Sequence, residues 1–455
     1  MSTVFESALF RDMFGTPEMR AVFDDRAYLD AIVRAEVALA RAEARVGVIP
    51  AEAAEAIAAR AASDRLDLDV LKRATEVVGY PILPVVRQLA EQCGDAGRYV
   101  HWGATTQDIM DTATVLQLRD ALDLVERGLD GTRRALRRLA AEHVDTVTAG
   151  RTHLQHALPV TFGYRCAVWL SALDRHAERL EQVRERALLA QFGGAAGTLA
   201  SLGADGLRVR AAYAEVLGLR EPDITWHVAR DGLVEVVQLL AMIGGSLGKV
   251  AWDLMMQAAS EFGEVAEPYV EGRGASSTMP QKRNPISCEL MSAAAKLLRE
   301  RSGAMLDALV QDFERATGPW HVEWATIPEA FLLAATALTQ AESLFTGLVV
   351  DPARMRANLD LTGGLIVAER VMMVLAPELG RQRAHDVVYD ACRAAIDGRT
   401  TLTETLLADD DLRTRLGESR IRELTDPTGY LGCAREMTRR VIGAGSGQAD
   451  HGPKA

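Results

Sequence analysis

The sequence predicts an all-α fold organised around an elongated bundle of long helices. In the segment that follows Asp108, six apolar residues recur at helical spacing and form one stripe: Leu118, Leu122, Val125, Leu129, Leu136 and Leu139. Further long helical segments are predicted at about 159–189, 231–265, 286–315 and 328–348. A helix of 30 residues is about 45 Å long, so a series of such helices indicates an elongated bundle.

Shorter helices precede this bundle. The stretch 28–46 is rich in strong helix formers and ends at Gly47, with Pro50 just beyond it. A second helix is predicted at about 51–61, and a third ends near Cys93 after two prolines. No alternating run that would predict a strand is found before residue 100.

A smaller helical unit and a polar tail follow the bundle. The tail is poor in apolar residues, and we expect it to be disordered. The predicted organisation is an N-terminal helical domain at 1–100, a central long-helix domain at 101–350, a C-terminal helical domain at 351–443, and a tail at 444–455. Gly244, Gly245 and Gly248 lie inside one long helix, where each costs about 1 kcal/mol relative to alanine. They predict close approach of another helix or subunit.

Charge and cysteine usage limit the possible partners and location. Of the 455 residues, 51 are Lys or Arg and 63 are Asp or Glu, which gives a net charge of −12. This balance argues against nucleic acid or an anionic membrane as the main partner, but it allows a small anionic substrate. Five scattered cysteines without CxxC spacing argue against disulfides and zinc, and favour the cytoplasm.

The N-terminal residues lack the basic and apolar regions of a signal peptide. No run approaches the roughly 18–20 apolar residues that span a membrane. No metal, flavin or nucleotide motif is recognised, so no cofactor is expected.

The most informative polar segment is the loop at 273–286, which reads RGASSTMPQKRNPI. Its glycine and its dense polar residues are typical of a mobile catalytic loop, in which Ser276 would act as a base while Lys282 and Asn284 hold an anionic substrate. By composition alone, a solvated connection between helices explains the loop equally well.

Three other polar segments also lie beside long helices, at 101–108, 151–156 and 191–198. Residues so distant in sequence can form one site only where the ends of a bundle meet, within one chain or between chains. This shared placement favours the catalytic interpretation of the loop.

The loop at 274–285 resembles the signature loop of the fumarase/aspartase superfamily, through Ser-Ser-x-Met-Pro-x-Lys-x-Asn-Pro. The other three segments are similar to that family's remaining motifs in the same order, and the similarity runs from Thr16 to Gly432. The resemblance implies an all-α, three-domain fold and a homotetramer whose active sites are each shared between three subunits. It also implies removal of a proton beside a carboxylate and loss of a β-substituent from a small dicarboxylate substrate.

The resemblance further implies roles for individual residues. Ser276 would be the base, with Ser277 as the alternative, and Lys282 would stabilise the negative charge that develops. His153 would protonate the leaving group, and Glu289 would orient that histidine. The residues implied to bind substrate are His101, Thr105, Thr106, Gln107, Thr152, Gln155, Asn284 and Arg230.

Several residues have simpler interpretations. His156 is better explained as a core or supporting residue than as a ligand. Arg230 could line the site, but a surface arginine beside a helix-capping Asp231 explains the sequence nearly as well. His143, His176 and His385 lie in charged helical surroundings and are expected to face solvent.

Within the superfamily, the chain resembles the 3-carboxy-cis,cis-muconate cycloisomerases along most of its length. That branch tends to carry tryptophan at the position of His153 and a small residue at the position of Glu289. Adenylosuccinate lyase fits poorly, because Met13, Phe14 and Trp324 replace its phosphate-binding and arginine positions.

Three hypotheses about function follow. The first is β-elimination from a small substituted succinate, for example nitrosuccinate, with an amine, a substituted amine or a nitro group as leaving group and fumarate as product. The second is muconate cycloisomerisation. The third is a catalytically silent structural relative, which the presence of Ser276, Lys282, His153 and Glu289 together argues against.

Overall fold

The structure is a computed structural model that describes residues 3–444, and it is mostly helical, as predicted. The α-helices are α1 (Pro17–Val22), α2 (Asp25–Val46), α3 (Ala51–Arg60), α4 (Leu68–Val78), α5 (Ile82–Cys93), α6 (Thr106–Glu142), α7 (Phe162–Ala187), α8 (Gly206–Leu217), α9 (Asp231–Ala258), α10 (Ile286–Ala308), α11 (Pro319–Gly347), α12 (Pro352–Leu359), α13 (Ala368–Leu379), α14 (Arg381–Gly398), α15 (Leu402–Ala408), α16 (Asp410–Leu416), α17 (Glu418–Leu424) and α18 (Ala434–Ala444). The strands are β1 (Val147–Thr152), β2 (Gln155–Thr161), β3 (Val265–Ala266) and β4 (Val349–Val350). Short 3-10 helices occur at Arg11–Met13, Ser63–Arg65, Gly94–Tyr99, Ala200–Asp205, Asp360–Thr362, Leu365–Val367 and Pro427–Gly429.

The ends of α2 follow local sequence signals. Asp24 caps the first turn by accepting a hydrogen bond of 2.8 Å from the Ala27 amide. The helix stops at Gly47, whose φ of 89° lies in the left-handed region that glycine adopts without steric cost. The predicted stop at Gly47 is therefore confirmed.

Other boundaries differ from the prediction. Helix α11 begins at Pro319, and it keeps Pro328 inside the helix instead of starting there. Pro319 suits a first helical turn because the amide hydrogen that proline lacks has no partner there anyway. Helix α10 ends at Ala308, before the predicted limit near residue 315.

A β-hairpin, which the sequence analysis did not predict, lies between α6 and α7. Strands β1 and β2 pair antiparallel, with an irregularity between Ala149 and Arg151. At that point Gly150 lies so close to β2 that an added Cβ would come 2.6 Å from the Leu158 carbonyl oxygen. Short strands without clean alternation leave little signal in the sequence.

By its internal contacts the chain divides into two compact units, each of which is described by itself. Unit 1 comprises Met1–Asp130, Arg175–Gly248 and Leu290–Gln340, and unit 2 comprises Gly131–Asp174, Lys249–Glu289 and Ala341–Ala455. The division into three domains stays a prediction. Residues 445–455 of the predicted tail lie outside the described residues.

In unit 1, α2 packs against α8 and α3, and Ile32 and Leu39 of α2 are fully buried. Close helix packing at two of the three glycines of α9 is confirmed. An added Cβ would lie 2.4 Å from Leu298 at Gly244 and 2.6 Å from Ala295 at Gly248, whereas Gly245 has nothing within 4 Å.

One of the three histidines expected to face solvent does not. His176 of unit 1 is only 6% exposed, and its Nε2 lies 2.9 Å from the Ser246 hydroxyl. Burial, aided by two neighbouring arginines, lowers the pKa of His176 to about 4. His143 is half-buried and His385 is exposed.

In unit 2, the helices α13 to α17 enclose a core of their own, which includes Val371, Leu375, Leu402 and Ile421. A second small core lies beside the hairpin, where Ala149 packs with buried residues of the segment 359–367.

Helix α9 is long and apolar enough, by length and composition, to cross a membrane. The expectation that no segment is apolar over the length needed to span a membrane is therefore wrong for α9. Within the structure 56% of its most apolar window is buried, as in core helices that pass the same test. This single helix is weak evidence for a membrane protein.

Candidate active site

The first polar segment, in unit 1, forms a turn that ends in α6. His101 has a φ of 63°, and the chain then enters the helix at Thr106. The Asp108 carboxylate turns back to accept a hydrogen bond of 3.0 Å from the Thr105 amide. Thr105 and Thr106 are thereby held at the start of a 37-residue helix, where backbone N–H groups favour an anionic ligand.

Asp108 also joins two more segments to this turn. Its Oδ1 accepts a 2.9 Å hydrogen bond from the Gly193 amide, and its Oδ2 accepts one of 2.9 Å from the Gly194 amide. His227 Nε2 lies 2.7 Å from Asp108 Oδ1, and both side chains are buried. One carboxylate therefore fixes three motif segments. The sequence pattern predicts no role for Asp108, whose one signal is its place beside Gln107 in the polar segment 101–108.

Gln107 is buried, and its side chain is hydrogen-bonded to the residues around Asp108. The side chain is 1% exposed, and its amide nitrogen donates to the His227 carbonyl oxygen at 2.9 Å. Its amide oxygen accepts a 3.2 Å hydrogen bond from Arg315. Both ends of the amide already have partners within unit 1.

Arg230 is buried at the centre of an ion network, so the interpretation of a surface arginine is wrong. Its guanidinium donates to both oxygens of Asp111, at 2.7 and 3.0 Å, and to both oxygens of Glu323. Although burial opposes its charge, Asp111 and Glu323 raise the pKa of Arg230. Trp320 donates a further 3.1 Å hydrogen bond to Asp111.

In unit 2, the second polar segment is the tip of the β1–β2 hairpin. His153 and Leu154 form the turn with φ values of 51° and 63°. Thr152, His153 and Gln155 are all exposed there. Behind the tip, Arg151 pairs with the fully buried Glu264. The hairpin thus presents His153 outward from an anchored base.

The signature loop of unit 2 is closed at its base by backbone contacts. The Asn284 amide donates to the Gly274 carbonyl oxygen at 2.9 Å, and Ala275 pairs with Arg283 in an isolated bridge. Lys282 is exposed at the far side of this closure, and Asn284 is half-buried.

Within the loop, the Ser276 hydroxyl oxygen accepts hydrogen bonds from two backbone amides. Thr278 N lies 3.3 Å from it and Met279 N lies 3.1 Å from it. Backbone N–H groups directed at an oxygen stabilise negative charge on it. A serine that acts as a base needs donors of this kind, because its alkoxide must be stabilised. Ser277 is exposed.

The start of α10 is fixed by a carboxylate that the sequence analysis did not single out. Glu267 accepts hydrogen bonds from the amides of Ser287 (3.1 Å) and Cys288 (2.9 Å). This contact replaces an ordinary N-cap. Glu289 lies in the same first turn, and its side chain is exposed.

The predicted residues thus fall into two groups. His101, Thr105, Thr106, Gln107 and Arg230 belong to unit 1, whereas Thr152, His153, Gln155, Ser276, Lys282, Asn284 and Glu289 belong to unit 2. Their roles stay predictions. Among residues 3–444, no group of three or more His, Cys, Asp or Glu side chains is arranged to hold a metal ion.

The closed base of the loop leads to a prediction. Replacing Gly274 with alanine is expected to lower kcat/KM by about tenfold or more, because the added Cβ would clash with the backbone of Asn284 and the loop would have to move to make room for it. Gly274 has a φ of 70°, and an added Cβ would lie 2.4 Å from the Asn284 carbonyl oxygen. Steady-state kinetics with a substituted succinate that the protein turns over measures this effect.

The matched control is Gly272→Ala. Gly272 has a φ of 76° but nothing within 4 Å of an added Cβ, so it carries the same backbone strain without the clash. Equal losses in the two variants would show that the contact with Asn284 is unimportant.

Comparisons with known proteins show the family to which the chain belongs. A family model described as "Lyase" matches residues 13–297, and one described as "Adenylosuccinate lyase C-terminus" matches residues 364–441. The chain belongs to the fumarase/aspartase superfamily of lyases.

Solved and curated relatives cover almost the whole chain. The crystal structure of a fumarate lyase from Mesorhizobium sp. BNC1 is 52% identical, with a TM-score of 0.89 over 94% of this chain and 98% of that one. A 3-carboxy-cis,cis-muconate cycloisomerase from Pseudomonas aeruginosa is 46% identical over 97% of each chain. A nitrosuccinate lyase from Streptomyces davaonensis is 42% identical over 97% of this chain and 96% of its own. These relatives divide between cycloisomerase and succinate-derivative lyase at similar identity.

Proposed function

We propose that this chain is a carbon–nitrogen lyase which eliminates an amine, a substituted amine or a nitro group from a small substituted succinate and releases fumarate. The observation that carries the proposal is the presence of both His153 and Glu289. His153 is exposed at the hairpin tip, and Glu289 is exposed in the first turn of α10. A histidine with a carboxylate partner suits protonation of a leaving group near neutral pH.

The proposed reaction has two steps. Ser276, as the alkoxide, takes the proton from the carbon next to one carboxylate, and the electron pair of that C–H bond moves into the carboxylate. Lys282 and Asn284 hold the resulting doubly charged aci-carboxylate. The electron pair then returns to form the double bond of fumarate as the C–N bond breaks. His153 supplies a proton when the leaving nitrogen needs one.

The amides of Thr278 and Met279 support the role of Ser276, because they lie 3.3 and 3.1 Å from its oxygen. A serine hydroxyl is too weak an acid to act as a base without such donors. The substrate's carboxylates are assigned to Thr105, Thr106, Thr152 and Gln155, which lie on helix or hairpin ends.

Two predicted ligands fit a supporting role better. Four of the five N–H groups of Arg230 are directed at Asp111 and Glu323. The side-chain amide of Gln107 likewise has both of its hydrogen-bonding ends in use, since it donates to the His227 carbonyl oxygen and accepts from Arg315. We therefore assign them to holding the site's framework. We further propose that the protein is a cytoplasmic homotetramer in which three subunits contribute to each active site.

The alternative function is 3-carboxy-cis,cis-muconate cycloisomerisation, which 46% identity to the Pseudomonas aeruginosa cycloisomerase favours. A panel assay separates the two. Substituted succinates with amino, alkylamino and nitro groups are incubated with the protein while fumarate absorbance is followed, and carboxymuconate is tested in parallel. Turnover of carboxymuconate alone, or of no compound, would overturn the proposed elimination.

The role of His153 gives a further prediction. His153→Asn is expected to reduce kcat by about 10²–10⁴-fold for an amine substrate, because an amine needs a proton as it leaves. Nitrosuccinate should lose much less, since nitrite departs as a stable anion. The comparison of kcat for the two substrates checks this expectation.

His156, three residues away and half-buried, is the matched control. Its substitution by asparagine should not discriminate between the two leaving groups. Equal losses for both leaving groups in His153→Asn would mean that His153 binds substrate and donates no proton.

A further inference from the structure

Helix α2 of unit 1 buries two glutamates on one face. Glu36 is 2% exposed and Glu43 is 0% exposed, although carboxylates are rarely buried without partners. They are seven residues apart, which places them two turns apart on the same side of the helix. Neither oxygen of Glu43 has a hydrogen-bond partner in the structure. An arrangement this costly calls for a reason other than packing.

Glu36 has one partner, and that partner is a predicted site residue. Its Oε1 lies 2.7 Å from Nδ1 of His101, which is half-buried. The contact spans 65 residues of sequence. Because Glu36 occupies Nδ1, Nε2 is the ring nitrogen of His101 that can serve a ligand.

The charges around the pair favour a protonated ring. Burial works against charge on His101, but Glu36 of α2 and Asp108 of α6 outweigh it and raise the pKa of the imidazole. Burial, together with repulsion from Glu36, raises the pKa of Glu43 to about 9. Glu43 is therefore neutral at pH 7, and Glu36 is the carboxylate that can balance the imidazolium.

We propose that Glu36 is a positioning residue that keeps His101 protonated and directs its Nε2 toward a carboxylate of the substrate. This inference rests on the proposed function, because it takes His101 to meet an anionic substrate. A protonated imidazole donates a stronger hydrogen bond to a carboxylate than a neutral one does. Glu36 touches no substrate and acts only through the ring.

The first test follows the titration of His101 by NMR in protein labelled at histidine, without any substrate. The resonance is assigned by its loss in His101→Asn. In Glu36→Gln the midpoint should move to lower pH, because the charge is removed while the side chain keeps its size. In Glu43→Gln, which replaces an equally buried but already uncharged carboxyl on the same helix face, the midpoint should not fall. An unchanged midpoint in Glu36→Gln would overturn the proposal.

The second test is the pH dependence of kcat/KM with the substrate that the panel identifies. Glu36→Gln should lower kcat/KM at pH 7 by about tenfold or more. The loss should shrink as the pH falls and the ring becomes protonated without its partner. Glu36→Asp, which retains the charge one methylene further away, should recover part of the activity. A loss independent of pH, equal to that in Glu43→Gln, would show a merely structural role.

The two tests separate this inference from the proposed function. If the panel finds no elimination but the NMR midpoint falls in Glu36→Gln, the proposed function fails while the Glu36–His101 coupling stands. If elimination is found but neither the midpoint nor the pH profile moves, the inference alone fails. If Glu36→Gln does not fold, Glu36→Asp replaces it: its carboxylate lies one methylene further from Nδ1, so the midpoint should still fall, but by less, and an unchanged midpoint would overturn the proposal.

Discussion

Ser276→Ala is expected to reduce turnover by about 10²–10⁴-fold, the usual contribution of a positioned general base. The variant removes the oxygen that accepts hydrogen bonds from the amides of Thr278 and Met279. Alanine has no group that could take the proton from the substrate carbon. The measurement is the rate of fumarate formation, with light scattering to show that the oligomeric state is unchanged.

Ser277→Ala is the matched control for that experiment. Ser277 is the adjacent residue in the same loop, it is exposed, and it is the other candidate for the base. The control should retain most of its activity. If Ser277→Ala loses turnover while Ser276→Ala retains it, the base has been assigned to the wrong serine.

Arg230→Met is expected to destabilise the protein by about 3–5 kcal/mol, which is the cost of removing one partner from a buried ion network. Asp111 and Glu323 are 1% and 2% exposed, and both would lose their balancing charge. Thermal unfolding and the yield of soluble protein measure the effect. The triple variant that also carries Asp111→Asn and Glu323→Gln should recover part of the loss, because no uncompensated charge remains.

Arg208→Met provides the comparison for an exposed ion pair in the same unit. Arg208 pairs with Asp205 at 2.6 Å, but its side chain is 65% exposed. Such pairs contribute at most about 1 kcal/mol. Similar thermal shifts for Arg208→Met and Arg230→Met would contradict the importance assigned to the buried network.

Helices were the most predictable part of this fold. Apolar residues at helical spacing and the stop at Gly47 are local signals, and both the all-α class and the end of α2 were predicted from them. The hairpin at 147–161 was missed because its strands are short and irregular at Gly150. Proline commonly marks a helix boundary, so the sequence predicts a start at Pro328, whereas α11 begins at Pro319 and continues through Pro328.

The candidate site was predictable at the level of motifs. Ser276, Lys282 and Asn284 lie in a short contiguous pattern, and such a pattern can be recognised without knowledge of the fold. Supporting residues were not predictable in this way. Glu36 lies 65 residues from His101, and Glu267 lies 20 residues from the amide it caps. Nothing local in the sequence marks either contact.

For this protein, the sequence by itself determined the helical class and the superfamily, because each depends on local spacing or on a contiguous motif. It also predicted which residues would carry the chemistry. Tertiary structure decided which of those residues are presented and which are enclosed. Arg230 and Gln107 are enclosed by carboxylates and backbone groups distant in sequence. His153 is exposed at a hairpin turn. Burial and long-range partners set the charge and the direction of a side chain, and only the folded chain brings those partners together.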